Sequence, residues 1–138
     1  METQEQLTEK IVAELVTAAI AARKNAYAPF SRFRVGAAVL ADDGQVHPGV
    51  NVESSSYGLT ICAERIAAGA AVTAGAKAIV AVAVATPGAA SPCGACRQFL
   101  YEFGPSMRVF LVDSDSGEIK RDVALSELLP DGFVLRDE

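Results

Sequence analysis

A chain of 138 residues with 51% hydrophobic content is long enough to bury an ordinary core as one domain, which removes any need for disulfide staples. Twelve Lys and Arg against 17 Asp and Glu leave a net charge of -5, and no basic patch or stripe is visible in the order of the residues, so the expected partner is a small free molecule rather than a nucleic acid. Three cysteines, an odd number, and no targeting segment predict a reducing, cytoplasmic setting, and the longest apolar run, AIVAVAVA at 78–85, is far too short to cross a membrane.

Residues 5–26 predict a helix, because Leu7, Ile11, Leu15, Ala18 and Ala22 recur at three- and four-residue intervals and charged residues occupy the remaining surface. Tyr27-Ala28-Pro29 closes it, since proline keeps the preceding residue out of helical geometry. Residues 33–41, FRVGAAVLA, read as a strand, Asp42-Asp43-Gly44 as a tight turn, and residues 45–52 as the returning strand of a hairpin. Pro48 places part of that second strand at an edge or a bulge. The polar stretch Asn51, Glu53 and Ser54 to Ser56 belongs at its end.

A helix is predicted over 61–74 with Thr60 as N-cap, and Gly69 within it marks a close backbone contact. Residues 77–85, KAIVAVAVA, show no polar alternation, as in a strand covered on both faces. An exit loop (86–92), a helix (93–102), a buried strand (107–113), a short polar strand (118–122) and a helical turn (126–129) complete the order, with an apolar patch at 133–135. The strand-helix-strand units predict parallel neighbours, and the opening hairpin makes the sheet mixed. Both helices that carry cysteines follow strands, on the side where α/β proteins generally hold their sites.

All three cysteines fall in two short segments, TICAER at 60–65 and SPCGACRQ at 91–98. A lone C-x-x-C is ambiguous between redox and metal chemistry, and a small cysteine cluster can be a closed structural zinc site. A closed site needs a fourth ligand, and there is no fourth cysteine, while the only histidine, His47, lies outside both segments. Three thiolates from Cys62, Cys93 and Cys96 with one position left open suit a catalytic zinc, one ion per chain. Glu64, two residues beyond Cys62, is placed to handle the proton of a water there. A ligand-x-Glu followed by Pro-Cys-x-x-Cys resembles the signature of the zinc deaminases that act on nucleobases.

The resemblance extends through YAPFSRFRVGAAVL at 27–40, NVESSSYGLTICAER at 51–65, SPCGACRQ at 91–98 and LLPDGF at 128–133. By these segments the chain resembles the homotetrameric, three-cysteine cytidine deaminases over nearly its whole length. That resemblance implies a three-layer α/β fold with a mixed five-stranded sheet flanked by helices, and active sites built at subunit contacts. It implies hydrolytic deamination of cytidine and 2'-deoxycytidine, with Glu64 taking the water proton and delivering protons to ring N3 and the departing amine. Three thiolates against a dication leave a net negative charge that would weaken zinc as a Lewis acid. Arg65 and Arg97 both stand beside motif residues where they could donate to the sulfurs, and the resemblance assigns this role to Arg65.

For the substrate, Asn51 and Glu53 alternate with Val52, so their side chains share a face of an extended segment. The resemblance assigns them to the ribose 3'-hydroxyl. It makes Phe33 a wall of the base pocket and Phe133 an aromatic offered at a subunit contact, and it brings the backbone at Ala63, and Tyr57 of a neighbouring subunit, near the nucleoside. Arg34 stands where many members carry proline, and Val50 where many carry a cysteine. A deaminase of a cytosine nucleoside antibiotic such as blasticidin S is the nearest alternative, although Glu53 favours an ordinary ribose. A non-catalytic zinc-stabilised module is the alternative from another class, and Glu64 argues against it.

Overall fold

The computed structural model describes residues 7–135. Helix α1 (Glu9–Arg23) begins where Thr8 takes the N-cap and its hydroxyl accepts the Ile11 N–H at 3.2 Å. The helix is shorter than its periodicity suggests. Residues 5 and 6 lie outside the described residues, and at the other end Asn25 and Ala26 donate to Ala22 and Arg23, which tightens the last turn ahead of Pro29.

Strands β1 (Gly36–Ala41) and β2 (Val46–Val50) form the hairpin, followed by a 3₁₀ turn (Tyr57–Leu59) and helix α2 (Ala63–Thr73). Then come β3 (Ile79–Thr86), α3 (Gly94–Tyr101), β4 (Arg108–Asp113), β5 (Ile119–Ala124) and the short α4 (Leu125–Leu128). The sheet order is β2-β1-β3-β4-β5, with only β3 and β4 pairing in parallel. Because β1 is antiparallel to both its neighbours, β2 and β3 still run the same way, and α2 crosses over β1 to connect them. Pro48 is on the edge strand, where its missing N–H costs least.

Most other boundaries shift by one or two residues, and the starts of β1 and α2 move for a long-range reason. Strand β1 opens at Gly36 rather than residue 33, since the Phe33 carbonyl and the Val35 N–H are bound by the Asn51 side chain. Helix α2 opens at Ala63 rather than Ile61. Ile61 exchanges backbone hydrogen bonds with Val52 at 2.9 and 3.0 Å, so it is held extended, and Cys62, not Thr60, takes the N-cap. The Thr60 hydroxyl instead accepts the Ser54 N–H.

Helix α1 covers one face of the sheet, burying Leu15 and Ala19 against Ala38, Leu40, Ala81, Ala83 and Phe110. Helices α2 and α3 cover the other, where Ala63, Ala67, Ala71 and Leu100 meet Val39, Val82, Val84 and Leu111. The alanines of β3, with Val80, thus face α1 while Val82 and Val84 face α2 and α3, and the strand is buried along its whole length. No helix among the described residues is long and apolar enough to cross a membrane.

Gly69 has open space where a Cβ would stand, so the contact expected there does not exist. The close approach is at Gly49 of β2, where a Cβ would lie 2.4 Å from the Ala67 nitrogen and 2.8 Å from the Ala63 carbonyl oxygen. Only glycine lets α2 rest this close to the sheet.

Candidate active site

Helices α2 and α3 both start at the carboxyl ends of strands that run in the same direction, and each is capped by a cysteine. Cys62 caps α2, while Cys93 caps α3 and its sulfur accepts the Cys96 N–H at 3.5 Å. Cys96 follows in the first turn of α3 and is fully buried. The three sulfurs lie within 4.8 Å of one another, with Cys62 and Cys93 4.0 Å apart. Thiolates about 2.3 Å from a tetrahedral zinc stand roughly 3.8 Å from each other, so this cluster fits the ion without rearrangement of the backbone. The thiols are all free.

Charge at the cluster is unevenly shared. The Cys62 thiol is held down at about 5, chiefly by the hydrogen bond from the Cys96 thiol and also by Arg65. Cys96 is pushed the other way, by its bond to the Cys62 sulfur and by burial. Arg65 Nη2 stands 3.9 Å from the Cys62 sulfur, and that sulfur in turn stabilises the guanidinium charge. Arg97 does not share this role. Its hydrogen bonds run to the Pro92 carbonyl at 2.9 Å, the Leu128 carbonyl at 2.7 Å and the Ser91 hydroxyl at 2.9 Å, which fastens the loop ahead of Cys93 to α4.

Glu64 is in the first turn of α2 and only 4% exposed. Burial raises its carboxyl to about 7, the negative Cys62 adds to the rise, and its own backbone N–H opposes it. A carboxyl near neutrality can both take and give a proton at neutral pH.

Cys62, Cys93 and Glu64 open onto a cavity of about 310 Å³ whose lining also includes Phe33, Asn51, Glu53 and Ala63. It is the size of a small-molecule site. Asn51 is buried, its Oδ1 accepting the Val35 N–H at 2.9 Å and its Nδ2 donating to the Phe33 carbonyl at 2.8 Å. Glu53 accepts the N–H groups of Phe30 and Ser31 at 2.9 and 3.2 Å on Oε1, and the Ser31 hydroxyl on Oε2. The Ser31 hydroxyl is the main reason that the Glu53 carboxyl sits below its ordinary range. Ala63 opens α2, where first-turn N–H groups lack intrahelical acceptors.

Tyr57 and Phe133 are not among the lining residues of this cavity. Tyr57 is 74% exposed and borders an adjoining hollow of about 240 Å³ that shares Ser31, Glu53 and Thr60 with the first. Phe133 is 65% exposed, with its backbone clamped by the Gln98 amide, which donates to the Phe133 carbonyl at 2.7 Å and accepts its N–H at 3.2 Å. A larger cavity, about 640 Å³, lies between α1 and the β4–β5 edge and holds the Arg108–Asp122 ion pair but no cysteine.

Several contributors were not singled out from sequence. Thr86 lines the cavity at the end of β3, and its hydroxyl accepts the Ala90 N–H at 2.6 Å, which shapes the loop toward Cys93. Ser31 lies inside the 27–40 segment quoted above, yet nothing local marks a serine in a turn as a partner of a carboxylate 22 residues away.

The model of the cytidine and deoxycytidylate deaminase zinc-binding region matches residues 9–112, a span that contains every cysteine and Glu64. The chain belongs to this deaminase family. Among family relatives, a cytidine deaminase of Halalkalibacterium halodurans is 46% identical over 89% of this chain and 94% of its own length. The crystal structure of a Burkholderia pseudomallei cytidine deaminase superposes with a TM-score of 0.83 at 45% identity, covering 92% of this chain and all of that one. The structure of a Mycobacterium tuberculosis cytidine deaminase gives 0.77 at 41% identity over 88% of this chain and 96% of its own. The mixed five-stranded sheet is that of the cytidine-deaminase-like fold, and the three-cysteine metal site lies within the matched zinc-binding region.

Proposed function

We propose that this chain is a cytidine deaminase that hydrolyses cytidine and 2'-deoxycytidine to uridine and 2'-deoxyuridine with release of ammonia, a reaction of pyrimidine salvage. The observation that carries the reading is a three-thiol metal cluster of which Cys62 and Cys93 line one cavity together with a buried carboxyl near neutrality and an Asn-Glu pair suited to a sugar. Zinc held by Cys62, Cys93 and Cys96 supplies Lewis acidity that makes water a competent nucleophile near neutral pH.

The protein groups do the rest. Glu64 takes a proton from the attacking water and passes protons to ring N3 and then to the amine as it leaves C4, so one water is consumed and one ammonia released. Its burial keeps the proton from exchanging freely with solvent and sets its affinity midway between acid and base. Arg65 spreads the charge of the Cys62 sulfur. Phe33 walls the base, and Asn51 with Glu53 holds the sugar 3'-hydroxyl. The whole chain works as one domain in a homotetramer, in which the exposed Phe133 and Tyr57 reach a neighbour's cavity.

The test is a nucleoside screen by ultraviolet absorbance and released ammonia, with zinc content measured on the same sample. Turnover of cytidine by zinc-loaded protein is expected. Zinc-loaded protein that leaves both cytidine and deoxycytidine untouched would overturn the reading.

A further inference from the structure

The turn between α1 and β1 contains a serine whose hydroxyl serves two partners. Ser31 Oγ donates to Glu53 Oε2 and accepts the Phe33 N–H at 3.0 Å. On its other side the Phe33 carbonyl accepts Asn51 Nδ2. Glu53, Ser31, Phe33 and Asn51 therefore form one continuous hydrogen-bonded chain, and all four line the cavity beside the thiols.

An ionised carboxylate offers about four acceptor positions. On Glu53, Oε1 receives two backbone N–H groups and Oε2 receives only the Ser31 hydroxyl. The position left for a ligand is thus on Oε2, next to the serine. We propose that Ser31 is a positioning residue for nucleoside recognition, fixing which Glu53 lone pair faces the sugar and tying that setting to the backbone of the Phe33 base wall. The proposal rests on the nucleoside-deaminase reading above. Without the hydroxyl, the two N–H donors still anchor Oε1, but Oε2 loses its orientation and the Phe33 N–H loses its acceptor. A sugar hydroxyl would then meet a carboxylate free to turn, and the base wall would no longer report on it.

The experiment compares Ser31→Ala, Ser31→Thr and Ser31→Ala/Glu53→Gln on cytidine and on 3'-deoxycytidine, with zinc content and thermal midpoint as controls. Ser31→Ala is expected to lower kcat/KM for cytidine about tenfold, mainly through KM, as for loss of a hydrogen bond to a charged group. On 3'-deoxycytidine the same variant should fall within about twofold of the parent, because the hydroxyl that Oε2 reads is missing. Ser31→Thr keeps the hydroxyl at an exposed position and should recover most of the loss. The double variant should be no worse than Glu53→Gln alone. Equal proportional losses on the two nucleosides, or multiplying losses in the double variant, would overturn the proposal. If Ser31→Ala does not fold, Ser31→Cys, a weaker donor of similar shape, takes its place.

Failure of the deaminase reading shows differently, as a parent protein that releases no ammonia from cytidine. Calorimetric binding of uridine and 3'-deoxyuridine to parent and Ser31→Ala then still reads the serine: a loss confined to uridine supports its role, and an equal loss on both refutes it.

Discussion

Glu64→Gln should depress turnover by several powers of ten and at the same time make the metal-free protein more stable above neutral pH. In the folded protein burial lifts the Glu64 carboxyl from 4.5 to about 7. The folded state therefore holds this proton more tightly than the unfolded chain does, so stability falls as pH rises from about 4.5 to 7, and above that the full cost of a buried carboxylate is felt. At about 1.4 kcal/mol per pH unit the cost is roughly 3 kcal/mol. Glutamine has nearly the same shape and cannot ionise, so the variant escapes it. For a chain of this length the gain amounts to roughly 10 °C in melting temperature. The assay is thermal unfolding of metal-free parent and variant, with chelator and thiol reductant present, at pH 4 and pH 8. The two should melt together at pH 4 and separate at pH 8, and taking their difference cancels the groups common to both. A difference that does not change with pH, or a parent more stable at pH 8, would refute the argument from burial. With zinc restored, the variant should keep its metal, since Glu64 is not a ligand, while kcat falls by at least roughly 10²- to 10⁴-fold.

Cys93→Ala should lose both zinc, about one ion per chain in the parent, and activity, measured by metal analysis and ammonia release; no spare cysteine exists to replace it. Glu53→Gln should raise KM for cytidine by an amount worth about 1.5–3 kcal/mol and cost little further on the 3'-deoxy substrate, as read by steady-state kinetics. Gly49→Ala forces a methyl into the backbone of α2, so it should destabilise the fold by about 1–3 kcal/mol in denaturant unfolding and weaken zinc retention against a chelator. Sedimentation at assay concentrations should find a tetramer; an active monomer would remove the role given to Phe133 and Tyr57.

The thiol cluster was legible in the sequence because metal chemistry constrains residue type and spacing together, and Cys62, Cys93 and Cys96 had no competitors. Strand β3 was legible for a simpler reason, as a short run without polar alternation has few other places to go. What local pattern could not encode is contact between distant segments. The start of α2 depends on Val52 holding Ile61 extended, and the start of β1 on the Asn51 amide. Arg97 shows the same limit for a side chain. Its place beside Cys96 suggested the sulfurs, but the carbonyl of Leu128, 31 residues on, gave the guanidinium a better partner. Gly69 and Gly49 were equally visible as letters, and only the packing of α2 on β2 distinguishes the one in contact.

Helices laid side by side stand about 8–10 Å apart, whereas adjacent strands are only about 4.8 Å apart. Two helices that rise from neighbouring strands must therefore fan outward. Here β1 is inserted between β2 and β3, so the strands that feed α2 and α3 are separated by two strand spacings, roughly 10 Å. Strand separation and helix width then match, and the two cysteine caps can arrive with their sulfurs 4.0 Å apart. Strand β1, which carries no thiol itself, acts as the spacer that gauges the width of the metal cradle.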